Sequence, residues 1–93
     1  MVRKSRQIIN GLSAKGFHKE DRDHIYLHYY TITNKKTTII TKVSRGKKEY
    51  DSNLLSQMSK QLKISLNELI DLIDCPLDQN GYEKILKHRN VFF

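Results

Sequence analysis

The segment Asp23-His24-Ile25-Tyr26-Leu27-His28-Tyr29-Tyr30 sets two imidazoles and three phenols within eight residues. Its β-branched and aromatic residues predict a strand from Asp23 to Thr33. Side chains alternate across a strand, so Ile25, Leu27 and Tyr29 point one way and His24, Tyr26, His28 and Tyr30 the other. The first set is the natural core face. On a sheet with helices on one side only, the second set is an outward face of rings and ionisable nitrogens, suited to unpaired bases and phosphates. Packing beneath the last helices is the alternative for the tyrosines.

The chemistry open to these residues is narrow. His24 and His28 stand about 13 Å apart along a strand, too far to share one ion. No Cys or carboxylate lies at ligand spacing to complete a site, so neither metal nor cofactor is expected. Ser44 and Cys75 are the nucleophiles worth naming. Ser44 has no acid and base suggested beside it, and Cys75 precedes Pro76 at a helix end, so both read as structural. The four glycines match neither a phosphate loop nor a dinucleotide fingerprint. An isolated histidine can still act on RNA, which carries its own nucleophile in the 2′-hydroxyl. Such an enzyme aligns that group, removes its proton and stabilises the charge that develops on phosphorus. Imidazole is the natural base near neutral pH, and nearby Lys and Arg can take the charge. For these residues alone, an uncommitted surface histidine is the competing reading.

The elements that must position this strand are legible in outline. Ser5 is expected to cap a first helix running to about Lys15, with Ile8, Ile9 and Leu12 at helical spacing and Gly16 as its stop. Residues 17–20 read as a short strand and Glu20-Asp21-Arg22 as a turn. Asn34-Lys35-Lys36 joins the His24 strand to a third, Thr37–Val43, as an antiparallel hairpin. Ser44-Arg45-Gly46-Lys47-Lys48 is a basic loop. A second helix, capped by Asp51 or Ser52, aligns Leu54, Met58 and Leu62 with Leu55 beside them. Ser65 and Glu68 form a capping box for a third helix, whose stripe is Leu66, Leu69, Ile70 and Ile73. A fourth helix over about 78–89 carries Tyr82, Ile85 and Leu86. The expected fold is α+β, an α-β-β-β-α order with two further short helices, in a single domain over 1–93. Within it, 1–63 is the core unit and 64–93 a helical extension.

Charge gives the first indication of a partner. The 93 residues hold 17 Lys and Arg against 10 Asp and Glu, for a net +7. Residues 1–48 carry +9 and residues 49–93 carry −2. A basic half joined to a slightly acidic one fits a polyanion-binding core with an added structural segment. No apolar run approaches the roughly 20 residues of a membrane span, and only Ile8 and Ile9 follow the basic N-terminus, too few for a secretory signal. The single cysteine gives no sign of an oxidising compartment. The cytoplasm is the expected location.

The helix ending Lys15-Gly16-Phe17, the charged turn, and Asp23 to Tyr30, followed by Thr37–Gly46 and Leu54-Leu55-Ser56-Gln57-Met58, together resemble the HicA mRNA interferase toxins. The likeness covers roughly residues 5–63. Leu69-Ile70-Asp71-Leu72-Ile73-Asp74-Cys75-Pro76-Leu77 looks like the tail of a longer form of that family. The resemblance implies a double-stranded-RNA-binding-domain-like fold, metal-independent cleavage of mRNA, and a HicB-type antitoxin protein covering the active face. It places the family's catalytic histidine on His24. Compact members often carry Gly-Ser before that histidine, where this chain has Arg22-Asp23. Arg45, Gly46, Lys47 and Lys48 precede the second helix, whose N-terminal N–H groups favour an anion, and are the expected phosphate contacts. Lys42, Tyr26 and His28 are further RNA-binding candidates, as are Lys4, Arg6 and Lys35. Tyr26, His28 or Lys42 could supply a general acid. Two other classes stand beside the nuclease: a non-catalytic RNA-binding module, and an assembly protein using exposed Tyr with Phe92 and Phe93.

Overall fold

One three-stranded sheet and the apolar stripes of four helices share a single interior. The structure, a computed structural model, describes residues 2–91; Phe92 and Phe93 lie outside them. In chain order the elements are β1 (Arg3–Lys4), α1 (Ser5–Ser13), β2 (Phe17–Asp21), β3 (Ile25–Tyr30), β4 (Lys36–Val43), β5 (Glu49–Tyr50), α2 (Ser52–Gln61), α3 (Leu66–Asp74) and α4 (Gln79–His88). β2, β3 and β4 form an antiparallel sheet in that order, with β3 central. β1 and β5 pair antiparallel as a separate two-stranded ribbon, which the sequence reading did not contain. The fold is α+β: an N-terminal helix, a three-stranded antiparallel sheet, then three C-terminal helices.

Strand alternation sorts the sheet into two faces. Phe17 on β2, Leu27 and Tyr29 on β3, and Ile39, Thr41 and Val43 on β4 are buried. Ile8 and Leu12 of α1, Leu55 and Met58 of α2, Leu69, Leu72 and Ile73 of α3, and Tyr82 and Leu86 of α4 join the same core. The aromatic centre is a trio. The Tyr29 ring lies 5.0 Å from both Phe17 and Tyr82, edge-on to the latter. Its hydroxyl donates to Glu83 Oε2 at 2.5 Å, and the same carboxylate oxygen accepts the Ile32 N–H at 2.8 Å. Glu83 thus ties α4 to the end of β3. Burial, with the Glu83 contact behind it, pushes the Tyr29 phenol well above its ordinary range.

Several boundaries differ from the sequence reading, each for a local reason. α1 begins after Lys4, and Ser5 is its first residue. The Ser5 hydroxyl donates to Lys47 O at 2.5 Å and caps nothing. β2 runs on through Asp21, which pairs with Ile25, so the turn is Arg22–His24 and not Glu20–Arg22. The Arg22 N–H donates to His24 O across that turn at 3.0 Å. His24 therefore stands just before β3 and not within it. At the other end β3 stops at Tyr30, because Thr31 O accepts the Asn34 N–H at 2.7 Å and Asn34 turns left-handed at φ 66°. Asp51 caps α2 by accepting from Leu54 N, and Ser65 with Glu68 forms the expected capping box of α3.

Two contacts tie the C-terminal helices to the rest of the chain. At Gly11 a β-carbon would collide with the Ile73 carbonyl oxygen, so glycine lets α1 and α3 meet backbone to backbone. The buried Lys15 ammonium donates to Leu72 O at 2.8 Å, in the last turn of α3, and to Leu77 O at 2.7 Å, in the loop that follows it. Leu69, Leu72, Tyr82 and Leu86 are each wholly buried. Burial of one such side chain is worth about 1.5–3 kcal/mol, against a whole-domain stability of about 5–15 kcal/mol. A chain ending at residue 63 is therefore expected to lose cooperative folding. Urea denaturation followed by far-ultraviolet circular dichroism checks this, and a sigmoidal transition in the truncated chain would contradict the shared core.

Candidate functional site

The face of β2–β4 turned away from the helices carries His18 and Glu20, then Tyr26, His28 and Tyr30, then Ile40 and Lys42. Register brings them together: His18 stands opposite His28, Glu20 opposite Tyr26, and Tyr26 opposite Lys42. Directly opposed side chains of an antiparallel pair have β-carbons about 5 Å apart, so each pair is a contact pair. The aromatic groups on this face are already engaged with cations or imidazoles. His18 stacks on Tyr30 at 3.8 Å with the planes 11° apart. The Arg22 guanidinium carbon lies 4.3 Å above the Tyr26 ring, a cation–π contact. His24 approaches the same Tyr26 ring edge-on at 6.3 Å.

Glu20 organises the centre of this face. Its Oε1 lies 3.1 Å from Arg22 Nε and its Oε2 lies 2.9 Å from His28 Nε2. The carboxylate thus lies between Arg22, which covers Tyr26, and His28, of whose side chain only 15% is exposed. Asp23 turns back on the chain. Its carboxylate accepts a backbone hydrogen bond from His24, which holds its carboxyl below the ordinary range.

The hairpin bearing His24 is braced from outside the sheet. Arg45 Nε donates to Arg22 O at 2.9 Å, Arg45 Nη2 donates to the same oxygen at 2.6 Å, and Nη2 also pairs with the Asp21 carboxylate. One guanidinium thereby holds the end of β2 and the first residue of the turn.

The predicted site residues thus fall into three places. His24, Tyr26 and Lys42 come together, and Tyr26 and Lys42 line a shallow depression with Ile40, Thr41 and Gln61. His28 shares their face but is turned toward Glu20. Asp51 serves the N-terminus of α2. Arg45, Lys47 and Lys48 line a cleft with Lys4, Ser5 and Arg6 at the start of α1, and Arg45 also reaches back to the hairpin. A side chain at Gly46 would meet nothing within 4 Å, so packing does not demand glycine there. Among the described residues, no group of three His, Cys, Asp or Glu could hold a metal ion. No described helix is long and apolar enough to cross a membrane.

Sequence reasoning missed Arg22, Glu20 and His18 as members of this face. Alternation within β2 already paired His18 with Glu20. Their partners on β3 depend on register, and register depends on the turn. Ending the strand at residue 20, with the turn over 20–22, hid the position of Glu20 opposite Tyr26. Chemically, the observed arrangement presents an imidazole, a phenol, a guanidinium and an ammonium around one patch: a base, a hydroxyl donor and two cations.

Removing the Arg45 brace is expected to loosen the turn more than the domain. In Arg45→Ala, amide hydrogen exchange at residues 22–24 should quicken at least about tenfold. Global stability should fall by less than about 1 kcal/mol, as for other exposed ion pairs. Unchanged exchange at those amides would contradict the bracing role. No protein-family model, curated protein or solved structure matches this chain.

Proposed function

We propose that this chain is an RNA-binding protein that cleaves RNA without a metal, with His24 as the general base. The observation that carries the reading is the convergence of His24, Tyr26, Arg22 and Lys42 on one uncovered sheet face. His24 would take the 2′-hydroxyl proton as the 2′-oxygen attacks phosphorus. The P–O5′ bond breaks, leaving a 2′,3′-cyclic phosphate and a 5′-hydroxyl end. Arg22 and Lys42 would stabilise the charge gathering on the phosphate oxygens. Tyr26, edge-on to His24, would donate its phenol proton to the leaving oxygen. Its ring beneath Arg22 sets where that guanidinium points.

The α-β-β-β-α order, with helices on one side of the sheet, supports a double-stranded-RNA-binding-domain-like reading of the fold. The resemblance of residues 5–63 to the HicA mRNA interferases supports mRNA as substrate and a HicB-type antitoxin as partner, with the uncovered face as the surface that partner would occlude. The cytoplasm is the compartment consistent with that role. Arg22-Asp23, the departure from Gly-Ser, fits the same scheme. Arg22 adds a cation beside His24, while Asp23 directs its carboxylate to a backbone N–H. A non-catalytic RNA-binding module would use the same face and is separated by activity alone.

Purified protein and its His24→Ala variant, incubated with RNA in excess EDTA, test the assignment. The native chain should yield cyclic-phosphate ends, and the variant should be slower by at least about 100-fold with RNA affinity little changed. Cleavage at equal rates by both proteins would remove His24 from the chemistry. Binding without cleavage by the native chain would establish the non-catalytic module instead.

A further inference from the structure

A second cationic surface lies at the start of α1, built by parts of the chain far apart in sequence. β1 pairs with β5 so that Arg3 faces Tyr50 and Lys4 faces Glu49. The Ser5 N–H donates to Lys48 O at 2.8 Å, and the Ser5 hydroxyl reaches Lys47 O. Tyr50, buried in the core, accepts the Ser44 N–H on its hydroxyl at 2.9 Å and anchors the loop from below. Together these contacts frame a cleft of about 350 Å³ lined by Lys4, Ser5, Arg6, Arg45, Lys47 and Lys48.

Among the described residues, no carboxylate lines this cleft. Glu49, the cross-strand partner of Lys4, forms no ion pair with it among the described residues, and Arg45 is the one lining cation matched by an acid, Asp21. Lys4, Arg6, Lys47 and Lys48 are all exposed and carry no ion pair among the described residues. Like charges gathered this closely repel one another, and here a backbone ribbon holds them in place. Among the described residues, the lining also contains no aromatic or aliphatic side chain, which is what a protein partner would need as an anchor. A phosphodiester backbone asks only for positive charge and hydrogen-bond donors.

We propose that this cleft is a separate phosphate-binding subsite that takes the backbone of the RNA strand flanking the segment at His24. The identity of the polyanion rests on the RNA reading of the open sheet face; the subsite itself does not depend on cleavage. Arg45 joins the two regions, since it lines the cleft and clasps the His24 turn at once. A strand leaving His24 along that side meets four further cations.

The test is RNA affinity as a function of salt. Native protein is compared with a variant carrying Lys4→Gln, Arg6→Gln, Lys47→Gln and Lys48→Gln. A charge-matched control carries Lys60→Gln, Lys63→Gln, Lys84→Gln and Lys87→Gln, four exposed positions elsewhere. With a single-stranded RNA of about 20 nucleotides, the cleft variant should bind at least about tenfold more weakly. The slope of log affinity against log salt should shrink by about 2–3, at about 0.7 per phosphate contact on a single strand. The control should bind within about threefold of native. Equal losses in the two variants would reduce the effect to net charge and overturn the subsite, as would an unchanged slope in the cleft variant. Vesicles containing phosphatidylserine form a second arm, and selective loss of vesicle binding with RNA binding intact would assign the cleft to a membrane surface and overturn it. Loss of RNA binding in the cleft variant alone, in a protein that proves unable to cleave, would uphold the subsite while removing the nuclease reading. Native protein that binds no RNA overturns both.

Discussion

Tyr29 sits where the sheet, the loop after β3 and the last helix meet, and the rest of the molecule is arranged around its burial. The ring needs apolar neighbours on all sides, which Phe17 and Tyr82 supply at 5.0 Å. The hydroxyl needs a partner in a place water does not reach, and Glu83 supplies it. Tyr82 and Glu83 both come from α4, so a helix far along the chain must lie across the same sheet face that α1 and α2 cover. A sheet of three strands has little area, and with this face filled, no helix among the described residues is left for the other. The open face carrying His18, Tyr26, His28 and Tyr30 follows from one-sided packing.

On that open face, polar groups are held by one another and not by a core. Glu20 spans Arg22 and His28, Arg22 covers Tyr26, and His18 covers Tyr30. Exposed ion pairs of this kind contribute little to stability, so their consequence lies in orientation. The proposed chemistry depends on that orientation: a guanidinium kept over a phenol ring beside an imidazole is a fixed cation, not a wandering one. Arg45 extends the order outward, joining the turn before β3 to the basic loop and to the first residues of α1.

Features encoded within a few residues were legible in the sequence, and those set by distant pairing were not. Ser65 and Glu68 announce α3 because a capping box needs only four residues. Ile25, Leu27 and Tyr29 announce the core face of β3 because alternation is local. The end of β2 was misplaced because Glu20-Asp21-Arg22 is as polar as a turn, and only pairing of Asp21 with Ile25 makes it strand. The β1–β5 ribbon involves two residues on each side and no apolar pattern, so nothing in either segment marks it. That ribbon sets Lys47 and Lys48 beside the start of α1. Within the candidate site, His24, Tyr26 and Lys42 were foreseen as separate residues. Their convergence with Arg22 and Glu20 depends on hairpin register, which a one-residue shift in the turn would change throughout.

The central claim is that the uncovered sheet face is the surface that receives RNA. Its most direct test is a titration of the isotopically labelled His24→Ala protein with single-stranded RNA, followed by backbone amide chemical shifts. The account predicts that the largest shifts fall in residues 18–30 and 40–42, with α3 and the outer side of α4 unmoved. Shifts concentrated on α3 and α4, with the strand residues silent, would contradict it.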